Sequence, residues 1–350
     1  MITGGAGFVG SNLSVSLKEA FPSVAVTAFD NLKRRGSELN LARLRGHGIQ
    51  FVHGDVRCWE DVEQWPAFDL LIDCSAEPSV QAGLDASPLP VIANNLIGTI
   101  HCMEAARRNN AALLFLSTSR VYPIAPLNRL AVFEEPTRFR WTGEESLPGF
   151  SVEGIAEEFP LDGPRSLYGA TKLASELLLQ EYAFSYRMPV LINRCGILTG
   201  PWQMGKVDQG VVTLWVARHA FDRELTYCGY GGHGKQLRDM LHTSDLFDLL
   251  CRQLARPSAW DGRIYNVGGG RAVCASLMEL TAVCRELTGK TIDIRSRPET
   301  SPVDLRIYVT DHRRATADFG WRPQRAVHDI LSDIYSWLQA RRSDLRDILA

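Results

Sequence analysis

Five short runs of nearly unbroken apolar character constrain what the first half of this chain can fold into. They are VAVTAFD (Val24–Asp30), IQFVHGD (Ile49–Asp55), DLLIDCSA (Asp69–Ala76), ALLFLSTS (Ala112–Ser119) and VLINRCG (Val190–Gly196). A strand with one wet face alternates apolar and polar residues. These runs do not, which is the pattern of strands covered on both faces. Between them lie stretches with helical spacing, clearest in Asn94–Asn110 and Ser166–Tyr186; in the second, Leu173, Leu177, Leu178 and Tyr182 fall on one stripe. Strand–helix alternation of this kind implies an α/β fold with a doubly wound parallel sheet and right-handed crossovers.

After Gly196 the pattern loosens. Pro201, Gly205, Gly210 and the run CGYGGHGK break the periodicity, and only Arg263–Gly269 and a helix from about 277 to 287 stand out before an amphipathic tail. The expected division is a sheet domain over 1–196, rejoined by a segment near 240–270, and a smaller discontinuous domain over 197–239 and 271–350. Lys plus Arg is 38 against 40 Asp plus Glu, so charge gives no reason to expect nucleic acid or an anionic membrane as partner. No apolar run reaches the ~18 residues of a membrane span, and no leader pattern precedes the turn. The eight scattered cysteines include no C-x-x-C pair, so reduced thiols in a cytoplasmic protein without a metal site are expected.

The opening, MITGGAGFVG, sets Gly4, Gly7 and Gly10 at G-x-x-G-x-x-G spacing where the first strand meets the first helix. Only three residues precede Gly4, fewer than the about five of an ordinary strand; the strand is short, or residues upstream are missing. Helix N–H groups at such a junction point at a pyrophosphate. Asp30 ends the next strand 20 residues beyond Gly10, where a carboxylate bonds ribose hydroxyls and repels a 2′-phosphate, favouring NAD over NADP. The third strand ends at Asp55-Val56, placed for an adenine edge. Gly4, Gly7, Phe8, Val9, Gly10, Asp30, Asn31, Asp55 and Val56 are the expected cofactor contacts. Lys33-Arg34-Arg35 reads as a solvated basic loop.

SLYGATK sets Tyr168 and Lys172 four residues apart, on one face of a helix. An ammonium near a phenol stabilises the phenolate, so Lys172 is expected to lower the Tyr168 pKa toward neutrality and make it a base. Such a pair is common by chance, and an exposed structural pair is its plainer meaning. The segment LSTSRVYP changes that, because Thr118 lies at the end of an apolar strand, the sheet edge where ligands of such folds bind. Its hydroxyl can bond the substrate oxygen that Tyr168 deprotonates. Together the three residues describe hydride transfer at a carbinol carbon.

The glycine set, Asp30, NNLIGT with Asn95, Thr118 and the Tyr168–Lys172 pair resemble the extended short-chain dehydrogenase/reductase family over nearly the whole chain. The resemblance implies a Rossmann-type NAD domain and a small C-terminal domain that holds a nucleotide-diphosphate sugar. It adds Ala76, Asn95, Tyr168 and Lys172 to the NAD contacts, and it implies a homodimer or homotetramer paired through the helices near 95–110 and 167–186. Family dehydratases carry Asp-Glu after the threonine, and uronate decarboxylases keep the Glu. This chain has Ser119 and Arg120, which leaves epimerisation.

AEPSV (Ala76–Val80), GPWQMGKVDQG (Gly200–Gly210) and GYGGHGKQLRDMLHTSDL (Gly229–Leu246) resemble the CDP-paratose 2-epimerase group. That likeness implies inversion at C2 of a CDP-3,6-dideoxyhexose through a transient keto-sugar. Ser79, Trp202, Gln209, Arg238 and Arg306 would contact the substrate, the two arginines gripping its diphosphate. A UDP-sugar 4-epimerase, a net nucleotide-sugar dehydrogenase and a non-catalytic NAD-binding regulator are the alternatives. Many relatives read NVYGP where this chain reads ILTGP, with Ile197 in place of the asparagine. His242 reads as a packed or capping residue, and the insert near 138–160 as a solvated loop or a lid.

Overall fold

The computed structural model describes residues 1–206 and 209–349. They form two compact units, the first made of 1–121, 166–195 and 246–265, the second of 122–165, 196–245 and 266–350.

The first unit is built on a seven-stranded sheet. Its spatial order is Asp261–Val267, Val190–Cys195, Ala112–Thr118, Leu70–Asp73, Ile2–Thr3, Thr27–Asp30, Gln50–His53. The five expected apolar runs are strands two to six in chain order, each trimmed at its ends. The first strand is two residues long, with Ile2 opposite Ala28 on one side and Ile72 on the other, both in parallel pairing. Chain order therefore reverses beside Ile2–Thr3, which makes the carboxyl ends of these strands the place where such a sheet binds ligands.

Two helices depart from their sequence readings. The segment around Asn94 starts earlier, as Leu89–Ile92, loosens into a π turn at Ala93–Ile97, and resumes as Gly98–Arg108. The helix Leu167–Tyr186 is capped by the Ser166 hydroxyl, which accepts from the Gly169 N–H at 3.2 Å. Its buried side is not the leucine stripe: Thr171, Lys172, Ser175, Glu176 and Leu179 face inward, Leu173, Leu178 and Tyr182 are half-buried, and Leu177 is exposed. Polar groups win the inner face because the neighbouring strands supply partners for them (below).

In the second unit Leu237–His242 is central to a four-stranded sheet, parallel to Ile197–Thr199 and Ile307–Tyr308 and antiparallel to Cys274–Ser276. Leu225–Cys228 and Ile294–Arg297 form a second, two-stranded parallel sheet. Helices Val211–Ala220, Leu277–Thr288 and Val327–Ala340 pack on one another. The second unit also takes residues 122–165, which sequence reading placed with the first; with them it is no smaller than the first. The insert is in part packed rather than solvated. Phe139, Trp141, Ile155 and Phe159 are buried, Arg138 makes a two-point ion pair with Glu279 at 2.6 Å, and Ile155 bridges Thr310. Apolar residues at alternate positions of FRW and a matched charge give it a fixed seat.

Asp239 lies buried in the central strand of this unit, with Oδ2 accepting from the Gly270 N–H at 3.0 Å. Burial pushes its carboxyl up to about 6. A raised acid leaves stability intact below the ordinary carboxylate value and removes it as pH climbs through the folded one, by up to about 3 kcal/mol here. Asp239→Asn is expected to be more stable than the parent protein at neutral pH and no more stable near pH ~4, as read from urea midpoints at the two values.

Candidate active site

The glycine turn is shaped by contacts that only glycine permits. Gly4 has φ +58°, and a Cβ there would lie 2.8 Å from the Cys74 carbonyl oxygen. A Cβ on Gly10 would lie 2.2 Å from the Gly4 carbonyl oxygen, so the first helical turn rests directly on the loop. Gly7 caps the helix Phe8–Ala20, whose first turn carries no acid. The N–H groups of Phe8, Val9 and Gly10 have no partner within the helix.

Asp30 closes its strand beside this turn. Its Oδ2 accepts from the Ala6 N–H at 3.1 Å and its Oδ1 from the Leu32 N–H at 2.8 Å, while burial raises its pKa. Asn31 donates to Asp55 at 2.9 Å, and the Arg57 guanidinium holds the Asp55 carboxyl well below the usual range. Val56 is buried under Gly98, and its carbonyl oxygen meets the His101 ring nitrogen at 2.8 Å. Asn95 is fully buried, and its amide both accepts from the Glu77 N–H (2.7 Å) and donates to the Glu77 carbonyl (3.1 Å). It thereby fixes the loop that carries Ala76. These residues gather at the carboxyl ends of the strands. A cradle that a single Cβ would fill, an acid-free helix N-terminus and a carboxylate at the second strand end together fit a dinucleotide.

Sequence reading missed the layer below. Asp73 is buried and accepts from the hydroxyls of Thr3 (2.6 Å), Ser75 (2.6 Å) and Thr99 (3.1 Å), and Thr99 and Ser175 also donate to the Asn95 carbonyl. Small polar residues at the ends of two apolar strands (Thr3, Asp73) and on the buried faces of two helices (Thr99, Ser175) are the available signal.

Thr118 ends its strand opposite Cys195 of the next, and its hydroxyl oxygen accepts from the Arg120 N–H at 3.1 Å. Tyr168 is half-buried in the first turn of its helix. Its pKa is not lowered as expected. Burial pushes it up to about 12, against the opposite pull of the Thr118 hydroxyl and the Arg120 guanidinium. Lys172 is turned elsewhere: its Nζ donates to the Leu116 carbonyl at 3.0 Å and stands 4.3 Å over the Phe115 ring, and burial lowers its pKa. Of the nearby cations it is Arg120, just past the strand end, whose charge pulls against this rise, and that pull is smaller than the effect of burial.

Ser79 is buried, and its hydroxyl accepts from the Gln81 N–H at 3.2 Å. In the second unit, Trp202 (φ +71°) lies 5.9 Å from the Trp337 ring and 5.0 Å from the Arg341 guanidinium, which seats it on the end of the helix Val327–Ala340. Gln209 pairs by backbone with Lys206 across Val207 and Asp208, which lie outside the described residues. Arg238 is committed to Asp304 (3.0 Å) and to the carbonyls of Leu237 and Leu305. Arg306 differs. It sits 5.8 Å from the Phe139 ring and 5.4 Å from the Tyr230 ring, and among the described residues no acid pairs with it. His242 accepts from the Ser244 N–H at 3.2 Å and so caps the helix Thr243–Leu254.

The model of the NAD dependent epimerase/dehydratase family matches residues 1–268. The chain belongs to that family. It is therefore an NAD-dependent enzyme with a Rossmann-like fold, and the reading as a non-catalytic regulator falls. The CDP-paratose 2-epimerase of Salmonella typhi is 29% identical over 350 residues, 96% of this chain and 98% of that one. A dTDP-glucose 4,6-dehydratase of Actinoplanes is also 29% identical, over 98% of both chains. Among solved structures, the dTDP-glucose 4,6-dehydratase of Bacillus anthracis in complex with NAD superposes with a TM-score of 0.76 at 23% identity, covering 99% of this chain and 98% of that one. No helix among the described residues is long and apolar enough to cross a membrane.

Proposed function

We propose that this family member is a nucleotide-sugar epimerase that inverts C2 of a CDP-linked 3,6-dideoxyhexose through a transient keto-sugar. The observation that carries the choice of epimerisation over dehydration is the turn after Thr118. Ser119–Val121 contains no carboxylate to serve as the acid and base that elimination of water needs. The CDP-paratose 2-epimerase of Salmonella typhi and the Actinoplanes dehydratase are both 29% identical to this chain, so identity does not choose between the two reactions.

In this reading the Thr118 hydroxyl, aligned by the Arg120 N–H, holds the substrate oxygen. Tyr168 exchanges the proton of that oxygen, and Lys172, its Nζ anchored on the Leu116 carbonyl, offers a remaining N–H to the nicotinamide ribose. Gly4, Gly7, Gly10 and Asp30 hold the dinucleotide. NAD, when bound, supplies the hydride acceptor and a positive charge that adds to that of Arg120. Arg306, half-buried beside the Phe139 and Tyr230 rings and paired with no acid among the described residues, is the group we assign to the diphosphate; Arg238, tied to Asp304, positions the loop that carries Arg306. A UDP-sugar 4-epimerase remains the second reading. Proton NMR of a panel of CDP- and UDP-sugars incubated with the enzyme separates them by the carbon that inverts.

We also propose a dimer through the first unit. The helical stretch 89–108 packs beside Leu167–Tyr186, and the pair turns Leu89, Ile97, Leu177, Phe184 (85% exposed) and Tyr186 outward. Apolar residues so exposed on adjacent helices mark an interface. Phe184→Asp is expected to halve the mass seen by light scattering, and an unchanged mass would contradict this surface.

A further inference from the structure

Two successive turns of the helix Leu167–Tyr186 are fastened to the strand that ends in Thr118. Lys172 reaches the Leu116 carbonyl. One turn on, the Glu176 carboxylate accepts from the Ser117 hydroxyl and from Arg194, whose Nε lies 3.1 Å from both carboxylate oxygens and whose Nη2 lies 2.7 Å from Oε2. The two charged side chains are 3% and 1% exposed. Register sets Arg194 opposite Ser117 and Cys195 opposite Thr118, so Glu176 closes a junction of three elements one residue behind the reactive threonine. A buried ion pair is a weak source of net stability, because desolvation offsets its attraction. It is a strong source of fixed geometry, since charge-assisted bonds from two strands leave the carboxylate one place to sit.

We propose that Glu176, held by Ser117 and Arg194, is a positioning residue that sets the separation between the Thr118 hydroxyl and the Tyr168 phenol. The inference rests on the proposed roles of those two groups. Glu176 itself touches neither substrate nor cofactor. It acts by locking the helix that carries Tyr168 against the strand that carries Thr118, and misplacement of reacting groups by ~1 Å is enough to slow a reaction about a hundredfold.

The mildest probe is Ser117→Ala, which removes one bond and leaves the ion pair. In the NAD-loaded enzyme it is expected to lower kcat by about tenfold while KM, retained NAD and Tm stay close to the parent values. Ser117→Thr, which keeps the hydroxyl, is expected to restore kcat. Glu176→Gln is expected to lose more, and where it fails to fold the serine pair carries the test alone. A second readout needs no substrate. With carbon-13 tyrosine, the Tyr168 Cζ signal, identified by its disappearance in Tyr168→Phe, should titrate at a different pH in Ser117→Ala because the Thr118 hydroxyl has moved. Unchanged kcat with an unchanged titration overturns the proposal, as does a loss of kcat that only follows loss of NAD or of Tm. An active Tyr168→Phe would instead overturn the assignment of the base, which keeps the two failures apart.

Discussion

Tyr168→Phe is expected to keep its fold and its NAD and to lose about a thousandfold in kcat, within the range general acid–base groups contribute. The variant removes one oxygen from a half-buried ring, so packing changes little. What disappears is the group that exchanges the substrate proton. The pH behaviour provides an internal check. Burial holds this phenol up to about 12, above the ordinary value of about 10. A phenol raised in the folded state costs stability as pH rises from the ordinary value through the folded one. The parent protein should therefore lose stability across that alkaline interval more steeply than the Phe variant, and parallel profiles would mean that Tyr168 is not buried as described.

Gly10→Ala is the second variant with a large expected effect. Its new methyl would be driven to 2.2 Å from the Gly4 carbonyl oxygen and 2.9 Å from the Gly5 Cα, both backbone atoms with no rotamer to change. The turn must open, and overpacking of this kind costs about 1–3 kcal/mol. The opening also withdraws the first-turn N–H groups from the pyrophosphate, so NAD affinity should fall by about a hundredfold, equivalent to about 2.7 kcal/mol. Fluorescence titration with NAD measures the affinity, and urea melts measure the stability. Gly46→Ala is the control, because a Cβ there meets nothing within 4 Å; it should bind NAD normally.

The features legible in the sequence are those that local chemistry dictates. Unbroken apolar runs gave the strands because a doubly covered strand has no other way to read. Gly4, Gly7 and Gly10 marked the turn because their spacing matches one helical entry. The Tyr168–Lys172 spacing correctly set both residues on one helix, but it did not tell where the ammonium points. Lys172 is drawn to the Leu116 carbonyl, a partner 56 residues away. The buried face of the same helix is illegible from its own spacing for a related reason. Leu177 points outward, whereas Glu176 is buried, because Arg194 and Ser117 compensate its charge, and no periodicity of a single helix carries that information. Residues 122–165 carry no local sign of the unit they join, because their partners, Glu279 and Thr310 among them, lie more than 100 residues downstream. Arg238 was expected on a phosphate, and only the tertiary structure puts Asp304 against it.

The central claim is that hydrogen leaves one ring carbon of a nucleotide sugar and returns to that same carbon on the opposite face. A CDP-3,6-dideoxyhexose carrying deuterium at C2, turned over in ordinary water and read by NMR, tests it directly. The account predicts an inverted C2 that keeps its deuterium, with no accumulation of NADH. Inversion with the label washed out to solvent, or appearance of a product that has lost water, would contradict it.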